Sequence, residues 1–199
     1  MAVLVGDYQV VYLTGPPASG KSSVREALSG LVSPLQVFDY GEQLRAQVSR
    51  RLQGDVSYEH LRSQSAQLAT PTDISALDEH LIGWTETQRR TSHIVIDTHA
   101  VTREEYGFRA TPFSLEQVKR LQPTLIFCLF VDPVITRERI ASDPGGRRTV
   151  SEFEAGLHAG LQGSVVIGYS IALGIPAYFV RSSIPTEALA QNIATRILR

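Results

Sequence analysis

Gln9-Val-Val-Tyr-Leu-Thr14 runs directly into Gly15-Pro-Pro-Ala-Ser-Gly20-Lys21-Ser22, and the reading of this junction decides the fold. The first segment is almost continuously apolar, the pattern of a strand buried on both faces. The second matches G-x-x-x-x-G-K-[ST], and Gly20 to Gly30 reads as a helix ended by glycine. Glycine reaches backbone angles closed to other residues, so successive amide N–H groups in such a turn can point inward at one phosphate. The helix behind it adds the positive end of its dipole. Gly15, Pro16, Ala18, Ser19, Gly20, Lys21, Ser22 and Ser23 are therefore the candidate cradle for a nucleoside triphosphate, ATP. In that cradle Lys21 bridges the β- and γ-phosphates, and the Ser22 hydroxyl ligates Mg²⁺.

Outward from this loop the chain alternates. Leu35–Phe38 reads as a short strand and 41–52 as a helix. Two helices follow, at about Tyr58–Leu68 and Asp73–Arg89. His93–Asp97 is a strand, Leu115–Leu121 a short helix stopped by Pro123, and Thr124–Val131 the most apolar strand. Asp132-Pro133 opens another helix, Ser151–Leu173 is a long one ended by Gly174, Ala177–Val180 is a last strand, and Pro185–Leu198 a closing helix. Buried strands alternating with helices predict an α/β, three-layer P-loop kinase fold: a five-stranded parallel sheet with helices on both faces. A single domain is expected over residues 1–199. Two polar stretches stand apart as mobile segments, an acceptor-side insertion at about 40–72 and a lid at about 142–150.

Composition limits the function classes. Of 199 residues, 43% are hydrophobic and 20% charged, which excludes a disordered chain. A net charge of −1 and no basic stripe interleaved with aromatics argue against nucleic acid as a partner. The longest apolar run, Leu125–Val131, is too short to span a membrane, and the N-terminus lacks a secretory pattern. Cys128 is the single cysteine, so no internal disulfide forms and the cytoplasm is the default compartment. Of the 19 basic residues only Lys21 and Lys119 are lysines. With so few, the Asn-Lys-x-Asp base-reading signature of switch GTPases is absent. Ile94-Val-Ile-Asp97 is followed by Thr98, so the acid-plus-glutamate pair of motor ATPases is absent too. A small-molecule kinase needs no such glutamate, because its acceptor is a substrate oxygen and water must be kept out.

Asp39-Tyr40-Gly41-Glu42-Gln43-Leu44-Arg45 follows the second strand and so falls at the carboxyl end of the sheet, where ligands bind. Tyr40 and Gly41 are candidates for substrate contact, and Arg45, one turn into the helix, for holding a second phosphate. Here the sequence resembles the nucleoside-monophosphate kinases, with Glu42 where their acceptor segment carries aspartate. It is most similar to the archaeal-type adenylate kinases. The likeness covers almost the whole chain: Gly15–Ser22, Tyr40-Gly41, Ile96-Asp97-Thr98-His99, Asp132-Pro133 with Arg137 and Arg139, Arg147-Arg148, and Gly168-Tyr169 ahead of Leu173-Gly174. The resemblance implies phosphorylation of AMP by Mg·ATP, with nucleotides as partners and a homotrimeric assembly.

The lid can also be read from charge alone. A phosphoryl group in transfer carries negative charge on its peripheral oxygens, and fixed cations lower that energy. Arg147 and Arg148 follow Asp143-Pro-Gly-Gly146 and can swing over the site, while Arg139 on the preceding helix can stack on the donor adenine. His99 is a candidate contact for the acceptor phosphate. Asp97 reads as an anchor for Mg²⁺ through a bound water, because Mg²⁺ dehydrates reluctantly. Asp132 also ends an apolar strand and competes for that role, although Asp132-Pro133 equally suits a helix cap. Other acceptors stay open at this point (a nucleoside, a sugar or a secondary metabolite), as does a nucleotide-binding regulator with weak ATPase activity.

Overall fold

The computed structural model describes residues 8–143 and 148–199. Five parallel strands form the central sheet: β1 (Val10–Thr14), β2 (Leu35–Asp39), β3 (His93–Asp97), β6 (Leu125–Phe130) and β7 (Ala177–Arg181), in the spatial order β2-β3-β1-β6-β7. Between β3 and β6 lies an antiparallel hairpin of β4 (Val101–Glu104) and β5 (Gly107–Ala110). The helices are α1 (Lys21–Ser29), α2 (Tyr40–Leu52), α3 (Tyr58–Ser63), α4 (Ser65–Leu68), α5 (Pro71–Gln88), α6 (Leu115–Leu121), α7 (Pro133–Ala141), α8 (Glu152–Leu173) and α9 (Thr186–Ile197). This is the three-layer α/β architecture expected from the alternation. The same alternation hides the hairpin, because its strands are four residues each and carry no apolar run, with Thr102, Arg103, Glu104 and Arg109 among them.

Alternation along β1 divides the core. Val10 and Tyr12 face one side, with Leu77, Leu81, Ile82, Val118 and Val166. Val11 and Leu13 face the other, with Val24, Leu28, Leu189 and Ile193. All five residues of β1 are buried, so the strand is covered by α5, α6 and α8 on one face and by α1 and α9 on the other. Trp84 lies 5.2 Å from the Phe38 ring and packs against the first of these layers.

Local chemistry starts and stops the helices where the sequence suggests. Thr70 and Asp73 form a reciprocal capping box on α5, Ser114 and Gln117 on α6, and Ser151 and Glu154 on α8. Gly174 ends α8 in the left-handed conformation. The helix expected over Tyr58–Leu68 is instead two short ones, broken at Gln64, whose backbone leaves the helical region. The insertion has apolar packing of its own. Val48, Val56, Leu61 and Ala69 form a small apolar cluster of their own, closed by Leu44, Leu68 and Ile74. Among the described residues no helix is long and apolar enough to cross a membrane.

Phe127, fully buried in β6 and stacked on Tyr178 at 5.2 Å, tests the sheet–helix layer. Phe127→Ala should cost about 3–5 kcal/mol in urea unfolding. A loss below about 1 kcal/mol would mean that the layer repacks around the gap.

Candidate active site

The loop after β1 is built from unusual backbone angles: Gly15 at φ 150°, Ala18 at φ 60° and Gly20 at φ 85°. A Cβ on Gly15 would lie 2.5 Å from the Leu129 carbonyl oxygen and 2.8 Å from Ser19 Oγ, so neighbouring β6 leaves room for glycine alone. The loop then enters α1 at Lys21. Lys21 Nζ arches back and donates to the carbonyls of Gly15 (2.8 Å) and Pro16 (3.3 Å), holding its charge directly over the turn. Ser19 is buried, and its hydroxyl has no hydrogen-bond partner among the described residues.

A cavity of about 1400 Å³ opens at the carboxyl ends of the strands. The phosphate loop lies near its middle, because β1 is the central strand. On the β2 side the walls include Tyr40, Gly41, Leu44, Asp78 and Phe113; on the β7 side they include Thr136, Arg139, Ser182, Ile184 and Thr186. The β4–β5 hairpin contributes Arg103, Glu104, Phe108 and Arg109. The structure thus gathers Pro16, Ala18, Ser19, Gly20, Lys21, Ser22, Ser23, Tyr40, Gly41, Asp97, His99, Arg139 and Arg148 around one space.

Behind the loop sits a charge cluster that the sequence does not single out. Arg25, one turn into α1, pairs with Asp39 and, at 3.1 Å, with Asp97. Asp39 and Asp97 are register partners at the ends of adjacent strands, so without a cation their carboxylates would repel. Asp97 is only 7% exposed. Burial pushes its carboxyl above the ordinary range; Lys21 and Arg25 oppose that shift and Asp39 adds to it. Asp132 is spent elsewhere, accepting from the Val134 amide at 2.9 Å as the cap of α7, and does not border the cavity. Of the two acids, Asp97 is the one that borders the cavity together with Ser22, and so the candidate for Mg²⁺. A hydroxyl and a carboxylate bordering the same cavity are hard oxygen donors that suit this ion, with nucleotide phosphates and water completing its shell.

One arginine is not where the spacing suggests. Arg45 does not reach the cavity: Glu42, three residues earlier, captures its fork at 3.0 and 2.7 Å, and Asp55 and the Val56 carbonyl take the rest. The expected acceptor-phosphate clamp is instead a tie between α2 and the 55–56 loop. Gly41 gives close approach to a side chain, since a Cβ there would lie 2.7 Å from the Tyr58 hydroxyl. Arg139 spans the Ala18 carbonyl (3.0 Å) and the Ser182 carbonyl (3.1 Å), which fixes its guanidinium at the β7 side of the cavity. Arg137 pairs with Glu152 on the surface. Arg147 lies outside the described residues.

The hairpin is strapped in place by residues with no motif to mark them. Gln162, fully buried on α8, accepts from the Ala100 and Val101 amides at 3.2 Å and donates to Thr14 Oγ1 at 2.9 Å. One turn earlier His158 donates through Nε2 to the Val101 carbonyl at 2.9 Å and packs on Phe108. Arg103 joins the hairpin to the lid's far root, donating to the Thr149 carbonyl (2.6 Å) and pairing with Glu154 (2.7 Å). Polar residues on an otherwise apolar helix were the available signal for Gln162 and His158. Gly107, directly after the Glu105-Tyr106 turn, was the signal for the hairpin.

A family model described as an AAA domain matches residues 14–155. No curated protein matches the chain in sequence. Among solved structures, shikimate kinase from Acinetobacter baumannii in complex with shikimate superposes with a TM-score of 0.58 at 14% identity, covering 96% of this chain and 93% of that one. The tunicamycin resistance protein of Deinococcus radiodurans gives 0.57 at 13% identity, covering 96% and 95%. A sugar kinase from Janibacter sp. gives 0.51 at 12%, covering 94% and 93%. At such identities the likeness establishes a shared P-loop kinase fold.

Two measurements check this geometry. Gly15→Ala should weaken ATP binding by about tenfold or more in calorimetry, since the methyl must displace backbone; an unchanged affinity would refute the close contact. Burial holds the His158 imidazole below its ordinary 6.5, so unfolding takes up a proton in acid. Its contribution to stability is complete above about pH 6.5 and is lost as pH falls through the lowered folded value. His93 shifts the same way, also from burial. His158→Gln should make the fall in melting temperature between about pH 7 and pH 5 shallower than in the wild type. An identical slope would place the imidazole in water.

Proposed function

The chain belongs to the AAA domain family, and on that premise we propose that it is an ATP-dependent small-molecule kinase that phosphorylates a nucleoside monophosphate, AMP first. The observation that carries this reading is one cavity extending to both sides of the phosphate loop, with a donor edge at Arg139 and an acceptor edge at Tyr40. A protein that only bound or hydrolysed ATP would have no use for the second half.

The charge cluster supports a phosphate acceptor over a hydroxyl one. A hydroxyl must lose its proton to a base during transfer, whereas a phosphate monoester already presents an anionic oxygen. Asp39 accepts from Arg25 and from the Glu42 amide, and Asp97 accepts from the same arginine, so both nearby carboxylates are held by cationic or backbone donors.

In this reading the loop amides from Gly15 to Ser22 bind the donor phosphates. Lys21 exchanges the carbonyls of Gly15 and Pro16 for the β- and γ-oxygens. Arg139 orients the donor adenine, and Arg148 meets the charge that develops on the moving phosphoryl group; Arg147, read as its partner from the sequence, takes the same role. Tyr40, Gly41 and His99 border the acceptor. Arg109, on the hairpin and paired with Glu104 at 2.9 Å, borders the cavity where Arg45 does not and takes the part that spacing assigns to Arg45. Mg²⁺, held by Ser22 and through water by Asp97, neutralises phosphate charge when it is bound. Hairpin and lid keep water from the γ-phosphate.

With Mg²⁺ and ATP, the purified protein should convert AMP to ADP, and Lys21→Ala should lower turnover by about three decades. If AMP, CMP, UMP and GMP all fail while a nucleoside, sugar or metabolite panel releases ADP, the acceptor is of that other class. ATP binding without any acceptor-dependent transfer would leave a nucleotide-binding regulator.

A further inference from the structure

The acceptor half of the cavity ends in an aromatic recess whose polar groups the phosphate-transfer chemistry does not use. Tyr12, Tyr40 and Phe113 all border the cavity, and Phe113 meets both tyrosine rings edge-on, at 6.4 Å and 5.8 Å between centroids. Leu44 and Ile74 add apolar surface. Such walls favour a flat ring.

Two groups in this apolar surround are polar. Asp78, on α5 and 5% exposed, accepts from the Tyr40 hydroxyl at 2.7 Å and from Gln117 Nε2 at 2.9 Å. Gln117 is itself fixed by the cap it makes on the Ser114 amide, at 2.8 Å. Both donors to Asp78 are neutral. Burial holds its carboxyl above the ordinary range, opposed by these two hydrogen bonds. A carboxylate offers about four lone-pair sites, so accepting capacity remains beside the cavity. Tyr12 is the second group. Its ring is 1% exposed, it lies within electrostatic reach of Asp78 and Tyr40, and its hydroxyl has no hydrogen-bond partner among the described residues. An orphaned buried hydroxyl costs about 1–3 kcal/mol, a cost that a ligand supplying an acceptor would offset.

An acceptor and a donor bordering the same flat recess are complementary to one kind of ring edge. We propose that Asp78 and Tyr12 read the base of the acceptor nucleotide, selecting rings with an exocyclic amine beside an unprotonated ring nitrogen over rings with a carbonyl beside a ring N–H. The amine donates to Asp78, and the ring nitrogen accepts from Tyr12. Adenine and cytosine carry that edge; hypoxanthine and uracil carry its reverse. The inference rests on the nucleotide-kinase reading and adds to it the residues that set base choice.

AMP and IMP differ only at this edge, as do CMP and UMP, so equilibrium binding of each pair by calorimetry is the test. In the wild type AMP should bind about tenfold or more tighter than IMP, and CMP tighter than UMP. Asp78→Asn presents both a carbonyl and an amide N–H, and should bring the AMP-to-IMP ratio to within about threefold. Tyr12→Phe keeps the ring wall, and should weaken AMP about tenfold while leaving IMP unchanged. ATP affinity, measured in parallel, should stay within about twofold in both variants and reports whether they are folded. If Asp78→Asn fails that control, Tyr12→Phe and the wild-type ratio decide. A wild-type ratio near one, ratios unmoved in the folded variants, or no binding of any of these monophosphates overturns the proposal. ADP formation is scored separately. Selective AMP binding without transfer refutes the kinase reading and leaves base recognition standing, whereas equal transfer to AMP and IMP does the reverse.

Discussion

Where β1 ends, the chain must turn within van der Waals contact of the next strand, and the Leu129 carbonyl occupies the space where a side chain on Gly15 would go. That single absence of a Cβ lets the loop lie flat against the sheet. Its amides can then face the cavity, and the lysine that follows can fold over them. The arrangement is central in the literal sense. β1 lies between β3 and β6, so the loop stands at the middle of a row of strand ends, and whatever the neighbouring connections present must face it. The positive φ of Ala18 belongs to the same turn, a left-handed position taken by a residue with a Cβ.

Charge around the loop is arranged in two shells. Lys21 stands in front, over the turn, while Arg25 stands behind and binds together the carboxylates of Asp39 and Asp97. Parallel register forces those two acids together, since Asp39 pairs with Asp97 at the ends of β2 and β3. A cation one turn down α1 relieves their repulsion, because the helix that starts at the loop places residue 25 beneath it. Cys128, by contrast, is chemically quiet: burial pushes its thiol up to about 11.

The hairpin shows how a cavity gains a wall that the core does not need. β4 and β5 bury little apolar surface, and their position comes from polar fastenings instead. Gln162 and His158, one turn apart on α8, hold the Ala100–Val101 backbone, and Arg103 reaches from the hairpin to the root of the lid. Gln162 also touches Thr14, the last residue before the phosphate loop, so hairpin and loop share one buried hydrogen-bonding side chain. Breaking such a network leaves donors or acceptors unsatisfied, which favours one fixed arrangement over many.

The amino-acid order alone determined the sheet, its parallel sense, the phosphate loop and nearly every helix boundary. These follow from local rules: apolar runs bury strands, capping residues begin helices, and Gly15, Gly20 and Gly174 mark turns that other side chains resist. It did not determine which polar side chains meet. Arg45 has the spacing of a phosphate ligand but lies three residues from Glu42 on the same helix, and that partner captures it first. Arg25, Asp78 and Gln162 lie in helices that read as ordinary amphipathic segments, and Tyr12 in a strand that reads as core. Each acquires its role from partners on other elements, 14 or more residues away, or from lacking one. Periodicity reports which face of an element is buried; it carries no information about what the opposing element presents there, and in this protein that opposing surface makes the β2 side of the cavity.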